Sequence, residues 1–266
     1  MQIELFHRIL DEVKESAHTM QFYFQGEPLL HKQLPEMIAA AHKVGLYTIV
    51  STNAQALNCN IAEALIKSGL NRIIVSIDGF SEESYAAYRV GGSLHKALEG
   101  LQYLRQAKEQ IGSRIIIELQ VLRLKSNEHE WDWIKKNYKS LGATRLVFKT
   151  AQLYDFENGN PLMPTDEHYA RYHKTADGTY VHKKRRIQHS KFPIHHSPCL
   201  RLWSGCVITT NGDVLPCCYD KEHKHILGNI TAQPLTEIFH SKKALSLRRL
   251  ILQGHHIPDM CKNCDR

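Results

Sequence analysis

The chain has 266 residues, of which 42% are hydrophobic, and a formal net charge of +7 from 34 basic and 27 acidic residues. That length holds one large domain, or one domain with an appendage. No apolar run approaches the ~20 residues of a membrane-spanning helix, and the positive excess lacks the aromatic interleaving of a single-strand binder, so neither a membrane nor a nucleic acid is an expected partner.

The opening "MQIELFHRIL" carries Glu4 and His7 and reads as an amphipathic helix, not an export signal, which makes a cytoplasmic location the expectation. Ile3, Phe6, Ile9, Leu10 and Val13 recur at helical spacing and predict a helix over 3–16. A short strand is expected at 20–25, a helix at 33–44, a β-branched strand at 46–51 and a helix at 60–68. A strand at 72–77 follows, then helices at 82–88 and 93–110, a strand at 114–122, a helix at 128–140 and a strand at 145–149. Apolar strands separated by helices predict an α/β fold with parallel strands covered by helices. From 151 to 197 the period is lost, and "HKKRR" at 182–186, near His189 and Lys191, reads as a solvated linker or a contact for an acidic substrate. After Pro198, "CVITT" and "DVLPC" flank Asn211-Gly212, a hairpin signal, and helical residues near 234–252 lead to "CKNC".

In parallel α/β folds ligands bind at the carboxyl ends of strands. Three polar turns fall there: "GEP" (Gly26, Glu27, Pro28), "STN" (Ser51, Thr52, Asn53) and "SIDG" (Ser76 to Gly79). Glu27 sits between the two residue types that most constrain a backbone. Taken singly, Glu27 is a helix-entry acid, Asn53 and Asp78 are turn or helix caps, and Arg89 is a surface ion-pair partner. Taken together, they converge on one sheet edge, where a guanidinium could also pair a ligand carboxylate.

Six of the seven cysteines lie at or after Cys199. Clustered thiols in a chain without an export signal point to a metal rather than to disulfides. Cys199 precedes the hairpin, Cys217 follows it, and Cys261 and Cys264 form C-x-x-C. Four thiolates on short loops suit zinc or an iron–sulfur cluster, and the spacing does not separate the two.

"QGEPLL", "STN", "SGLNRIIVSIDG" and "YAAYR" resemble the radical S-adenosylmethionine (radical SAM) enzymes, and "PCLRLWSGCVITTNGDVLPCC", with "GNI", "LTEIF" and "CKNC" after it, resembles their SPASM domain. The resemblance implies a partial (β/α) barrel lacking its first strand, leaving five parallel strands, plus a small cysteine-rich domain. It divides the chain into a barrel core at 1–150, a bridging segment at 151–197 and a SPASM domain at 198–266. It implies that Glu27, with the backbone of Gln25 and Gly26 alongside, receives the methionyl ammonium of S-adenosylmethionine. Pro28, Thr52 and Asn53 would line the pocket, Ser76 and Asp78 would face the ribose or carboxylate, and Arg89 the carboxylate. Cys199, Cys217, Cys261 and Cys264 would hold one auxiliary [4Fe-4S] cluster, with Cys206 and Cys218 spare. The implied activity is reductive cleavage of S-adenosylmethionine and abstraction of a hydrogen from a peptide, protein or small molecule, with a reductant as further partner.

The sequence departs from that family at three places. It holds no C-x-x-x-C-x-x-C loop, since Cys59 is its only cysteine before Cys199. Gln25 stands where the family has a glycine, and Ala54 where a glycine follows "TN". The missing loop predicts that the chain as given does not cleave S-adenosylmethionine; an in-frame C-x-x-x-C-x-x-C encoded upstream would make Met1 internal to a longer enzyme. The alternative is a non-catalytic iron–sulfur or zinc protein acting as an accessory.

Overall fold

The structure is a computed structural model that describes residues 1–183, 199–253, 258–261 and 264. The expected basic run lies outside the described residues from Lys184 onward, as does the end of the bridging segment. Contacts group the chain into two units, Lys14–Tyr180 and a second made of Met1–Val13 with Val181–Arg266. The sequence pattern had instead marked divisions at 150 and 197.

The elements run α1 (Ile3–Val13), β1 (Thr19–Gln21), α2 (Leu34–Lys43), β2 (Tyr47–Thr52), α3 (Cys59–Lys67), β3 (Arg72–Ser76), α4 (Glu82–Ala86), α5 (Leu94–Ile111), β4 (Ile116–Arg123), α6 (Trp131–Asn137) and β5 (Arg145–Thr150). Strands β1 to β5 form one sheet in sequence order, and every neighbouring pair is parallel. Five parallel strands with helical crossovers are the expected partial barrel. β1 is shorter than the predicted 20–25, although Phe22 N–H still reaches Ile49 O at 2.8 Å. The predicted helix 128–140 is a 3-10 segment, Lys125–Glu130, running into α6.

Period-2 burial sets the sheet's faces. Ile73, Val75 and Ile77 alternate with polar Arg72, Ser76 and Asp78, and Ile117, Leu119 and Val121 with Glu118 and Gln120. The six apolar residues pack with Leu65 of α3, Leu101 and Leu104 of α5 and Ile134 of α6 as the main core. Each such side chain, fully buried, contributes on the order of 1.5–3 kcal/mol. Asn58 caps α3 by accepting from Ile61 N–H, and Ser93 caps α5 by accepting from Lys96 N–H.

The second unit holds α7 (Arg201–Ser204), β8 (Val207–Ile208), β9 (Asp213–Leu215), β10 (Gly228–Asn229), α8 (Leu235–Phe239) and α9 (Lys242–Gln253), taken after β6 (Tyr172–Lys174) and β7 (Tyr180–His182). β8 and β9 form the predicted antiparallel hairpin, with Val207 opposite Leu215. Its turn needs the left-handed φ of +87° that Gly212 supplies. Asn229 braces it: its amide donates to Asn211 O at 3.0 Å and Asp213 at 2.9 Å, and its oxygen accepts from Thr231 N–H at 2.8 Å. The expected single helix over 234–252 is broken at Ser241, whose hydroxyl accepts from Ala244 N–H and starts α9 afresh. α1 joins this unit because Leu5 and Ile9 pack with Val214, Leu227, Ile230 and Ile238. Arg8 donates to Thr231 O at 3.2 Å, and Glu12 accepts from Leu235 N–H. Arg248 ties α9 to the rest, donating to Leu202 O at 2.9 Å and Phe239 O at 2.7 Å.

Candidate cofactor sites

At the carboxyl edge of the sheet, Gly26 adopts φ +79° and has open space where a Cβ would stand. That conformation turns the chain from β1 into Glu27, and Pro28 then opens a one-turn 3-10 helix, Pro28–Leu30. Glu27 is half-buried. Its Oε1 accepts from Leu29 N–H at 3.1 Å and from the Thr52 hydroxyl at 2.7 Å, and its Oε2 accepts from Asn53 N–H at 2.8 Å. An ionised carboxylate offers about four acceptor positions on two oxygens. Three are filled by the chain, all from donors, and Oε2 keeps one. The side chain therefore caps the turn, as the structural reading holds, and it is also a fixed anion able to receive one further donor. A cationic ammonium suits that position.

The turn after β2 is built around the same carboxylate. The Thr52 hydroxyl donates to Glu27 and accepts from Ala54 N–H at 2.9 Å, while Asn53 Oδ1 accepts from Gln55 N–H at 3.0 Å. Ala54 is fully buried at φ +61°, a left-handed conformation that favours glycine. This is the position where the resembled family carries glycine. Gln55 then fastens the turn to its neighbours, donating to Tyr85 Oη and Ser93 O and accepting from Ser93 N–H.

Ser76 ends β3 and is buried. Asp78 is 1% exposed, and its carboxylate is turned to the protein. Its Oδ2 accepts from Arg89 Nε at 2.7 Å and Nη2 at 2.6 Å, and its Oδ1 accepts from Leu122 N–H at 2.6 Å. Burial pushes the Asp78 carboxyl up, against the pull of Arg89 and the Leu122 N–H. The expected direct contact of Asp78 with a ligand gives way to a different task, that of holding Arg89. The guanidinium of Arg89 is about a quarter exposed.

Two residues that sequence reasoning passed over organise this edge. Asn127 is fully buried. Its amide donates to Asp78 O at 2.9 Å and Leu122 O at 2.8 Å, and its oxygen accepts from Leu124 N–H at 3.0 Å and Trp131 Nε1 at 2.7 Å. Glu130 accepts from Phe80 N–H at 2.9 Å and the Ser84 hydroxyl at 2.7 Å. Together they bind the turn after β3 to the end of β4. The one available signal was the Asn127-x-x-x-Trp131 spacing, which puts an amide and an indole donor on one helical face.

In the second unit Cys218, Cys261 and Cys199 are electrostatic neighbours of Cys217. Burial pushes the Cys217 thiol up to about 11, and its sulfur accepts from Tyr219 N–H at 3.5 Å. Arg201 lies within reach of Cys264 and donates to Cys218 Sγ at 3.3 Å. Cys206 is set apart, packed with the Val214–Ile238 core. Among the described residues no three His, Cys, Asp or Glu stand close enough to grip a single ion. The soft thiol donors of this unit fit an iron–sulfur cluster or zinc.

Residues 1–117 match the Radical SAM superfamily, and residues 199–265 match SPASM, an iron–sulfur cluster-binding domain. The chain is 24% identical over 280 residues to the PqqA peptide cyclase of Granulibacter bethesdensis, covering 100% of this chain and 72% of the cyclase. It is 24% identical over 281 residues to the AdoMet-dependent heme synthase of Methanosarcina barkeri, covering 96% of this chain and 77% of the synthase. Among solved structures it is similar to native anSMEcpe with bound AdoMet and Cp18Cys peptide, with a TM-score of 0.66, 16% identity, and coverage of 99% of this chain and 78% of that one. At that identity the likeness is one of fold. Residues 1–117 thus carry a radical SAM region and residues 199–265 a SPASM domain, families whose cofactors are S-adenosylmethionine and [4Fe-4S] clusters.

Proposed function

We propose that this protein binds S-adenosylmethionine at the carboxyl edge of its sheet, holds an auxiliary [4Fe-4S] cluster in its C-terminal unit, and serves the radical modification of a peptide. The observation that carries the reading is the Glu27 carboxylate, fixed by three donors with one acceptor position left. That position receives the methionyl ammonium. Thr52 and Asn53 hold the carboxylate in place, the open face of Gly26 lets the ligand approach the backbone, and Ser76 and Arg89 take its polar groups, Arg89 steadied by Asp78. Cys199, Cys217, Cys261 and Cys264 hold the cluster, and the Tyr219 N–H tunes the Cys217 sulfur. When bound, S-adenosylmethionine supplies, on one-electron reduction by a [4Fe-4S] centre, the means to take a hydrogen atom from the substrate. A peptide substrate is supported by the peptide cyclase relative and by the peptide in the structural neighbour.

These 266 residues hold no three-cysteine loop, Cys59 being alone before Cys199. Turnover is therefore proposed for a form supplied with that loop, and binding for the chain as it stands. Calorimetric titration of S-adenosylmethionine into the wild type and Glu27→Gln tests the site. Losing a charge-assisted hydrogen bond should weaken binding by ~1.5–3 kcal/mol, about 10- to 150-fold. Equal affinities would return Glu27 to a purely structural cap.

A further inference from the structure

Arg123 ends β4 on the carboxyl rim of the sheet. Its guanidinium carbon lies 4.2 Å from the Tyr169 ring centroid, 4.9 Å from Phe148 and 5.4 Å from Trp131. The three rings come from three elements and are independently fixed. Trp131 opens α6 with its indole N–H on Asn127. Phe148 lies on β5, opposite Val121. Tyr169 closes a 3-10 turn, Glu167–Tyr169, capped by Asp166. Trp131 meets Tyr169 edge-on at 4.9 Å and Phe148 at 6.4 Å. The arginine stem is thus clamped, and its Nε is buried against the rings without a hydrogen bond.

The forked end is different. Arg123 carries no hydrogen bond or ion pair among the described residues, and its terminal nitrogens are not enclosed. The carboxylates on the surrounding elements are committed elsewhere. Glu128 accepts from Thr165, Glu130 from Phe80 and Ser84, Asp132 from Lys135 and Asp166 from His168. Glu167 also has another partner. Five acids flank the cage and none answers the cation. Exposed Lys125 and Lys149 lie on the same rim, and Arg171 donates to Thr150, the register partner of Arg123.

We infer that Arg123 is a carboxylate-binding group for the substrate, which takes an acidic side chain. A preorganised planar fork pairs a carboxylate bidentately and loses little entropy in doing so. Three apolar rings beside it suit the methylene stem of a glutamate. The rim also carries Lys125, Lys149 and Arg171, so a phosphate probe separates carboxylate from phosphate recognition in the test. The inference rests on the reading of this sheet edge as the substrate side, and it names the chemistry of what docks there.

The test uses the full chain with no S-adenosylmethionine, so that its outcome is independent of the Glu27 site. The Nε–H resonance of Arg123 is identified by its absence in Arg123→Lys, then followed together with the backbone amide signals of the rim by 15N NMR during titration with N-acetyl-glutamic acid amide, its glutamine counterpart and inorganic phosphate, the backbone amides reporting binding in the variants. The glutamate probe should shift the Arg123 signal and saturate, with the glutamine probe and the Arg123→Gln protein binding it at least about tenfold more weakly. Arg123→Lys, which keeps the charge and loses the fork, should bind several-fold more weakly. Equal response to the two amides, unchanged binding in Arg123→Gln, or tighter binding of phosphate than of the glutamate probe overturns the proposal. If Arg123→Gln fails to fold, the wild-type titration and Arg123→Lys decide it.

Discussion

Replacing Asn127 with alanine should be among the most damaging single changes in the barrel unit. The side chain is fully buried and makes four hydrogen bonds, between 2.7 and 3.0 Å. Alanine leaves two buried donors without a partner, Leu124 N–H and Trp131 Nε1. Each orphaned donor costs about 1–3 kcal/mol, whereas a carbonyl such as Asp78 O or Leu122 O can find a second donor or tolerate the loss more cheaply. Adding a small cavity, we expect a loss of about 3–5 kcal/mol, a large share of the ~5–15 kcal/mol that holds a domain together. Urea unfolding followed by circular dichroism and total tryptophan fluorescence reads the shift in midpoint at unchanged slope. A double-mutant cycle sharpens it: Trp131→Phe removes one orphan in advance, so Asn127→Ala should cost about 1–2 kcal/mol less in that background. A loss below about 1 kcal/mol in the single variant, or strict additivity in the cycle, would refute the claim that this amide fastens the turn after β3 to the end of β4.

Alanine at Cys199, Cys217, Cys261 or Cys264 should abolish cluster binding and lower the stability of the second unit, since a cofactor bound only by the folded state contributes folding free energy; retained iron in any of the four, measured per chain, contradicts the assignment. Cys206→Ala and Cys218→Ala should keep the cluster. Burial pushes the Cys206 thiol from 9.0 up to about 11, so at pH 8 its thiolate fraction is about 100-fold below that of an ordinary thiol and it should alkylate long after exposed Cys59, read by peptide mass spectrometry. Its folded value lies above the unfolded one, so whatever stability this group contributes is present below pH 9 and is lost as pH rises toward 11. Arg248→Met should cost about 1–3 kcal/mol, because it strips donors from Leu202 O and Phe239 O; a change within 0.5 kcal/mol, the range of ordinary surface substitutions, would contradict it. The reconstituted, dithionite-reduced chain should yield no 5′-deoxyadenosine from S-adenosylmethionine, a product readily followed by chromatography.

The parallel sheet was legible because its strands are continuous β-branched runs and its helices carry a clear 3.6-residue period. The hairpin was legible because Asn211-Gly212 admits few other turns. Glu27 was found from its neighbours, since Gly26 and Pro28 leave its backbone little freedom. What stayed hidden depends on long-range pairing. Nothing local in "SIDG" says that Asp78 will face Arg89 and Leu122 N–H rather than a ligand. Nothing in "LKSNEHEW" says that Asn127 will bridge two strand ends. The apolar face of α1 packs with Val214 and Ile230, over two hundred residues away, a pairing that no local pattern announces. The break at Ser241 was missed because a serine is tolerated within a helix and acts as a cap only when its hydroxyl turns to Ala244 N–H.

The most direct test of the account is the metal content of the anaerobically purified and reconstituted chain. Four irons and four acid-labile sulfides per chain, with a broad absorption band near ~400 nm that disappears in Cys217→Ala, are the predicted result. A colourless protein carrying one zinc per chain would contradict it.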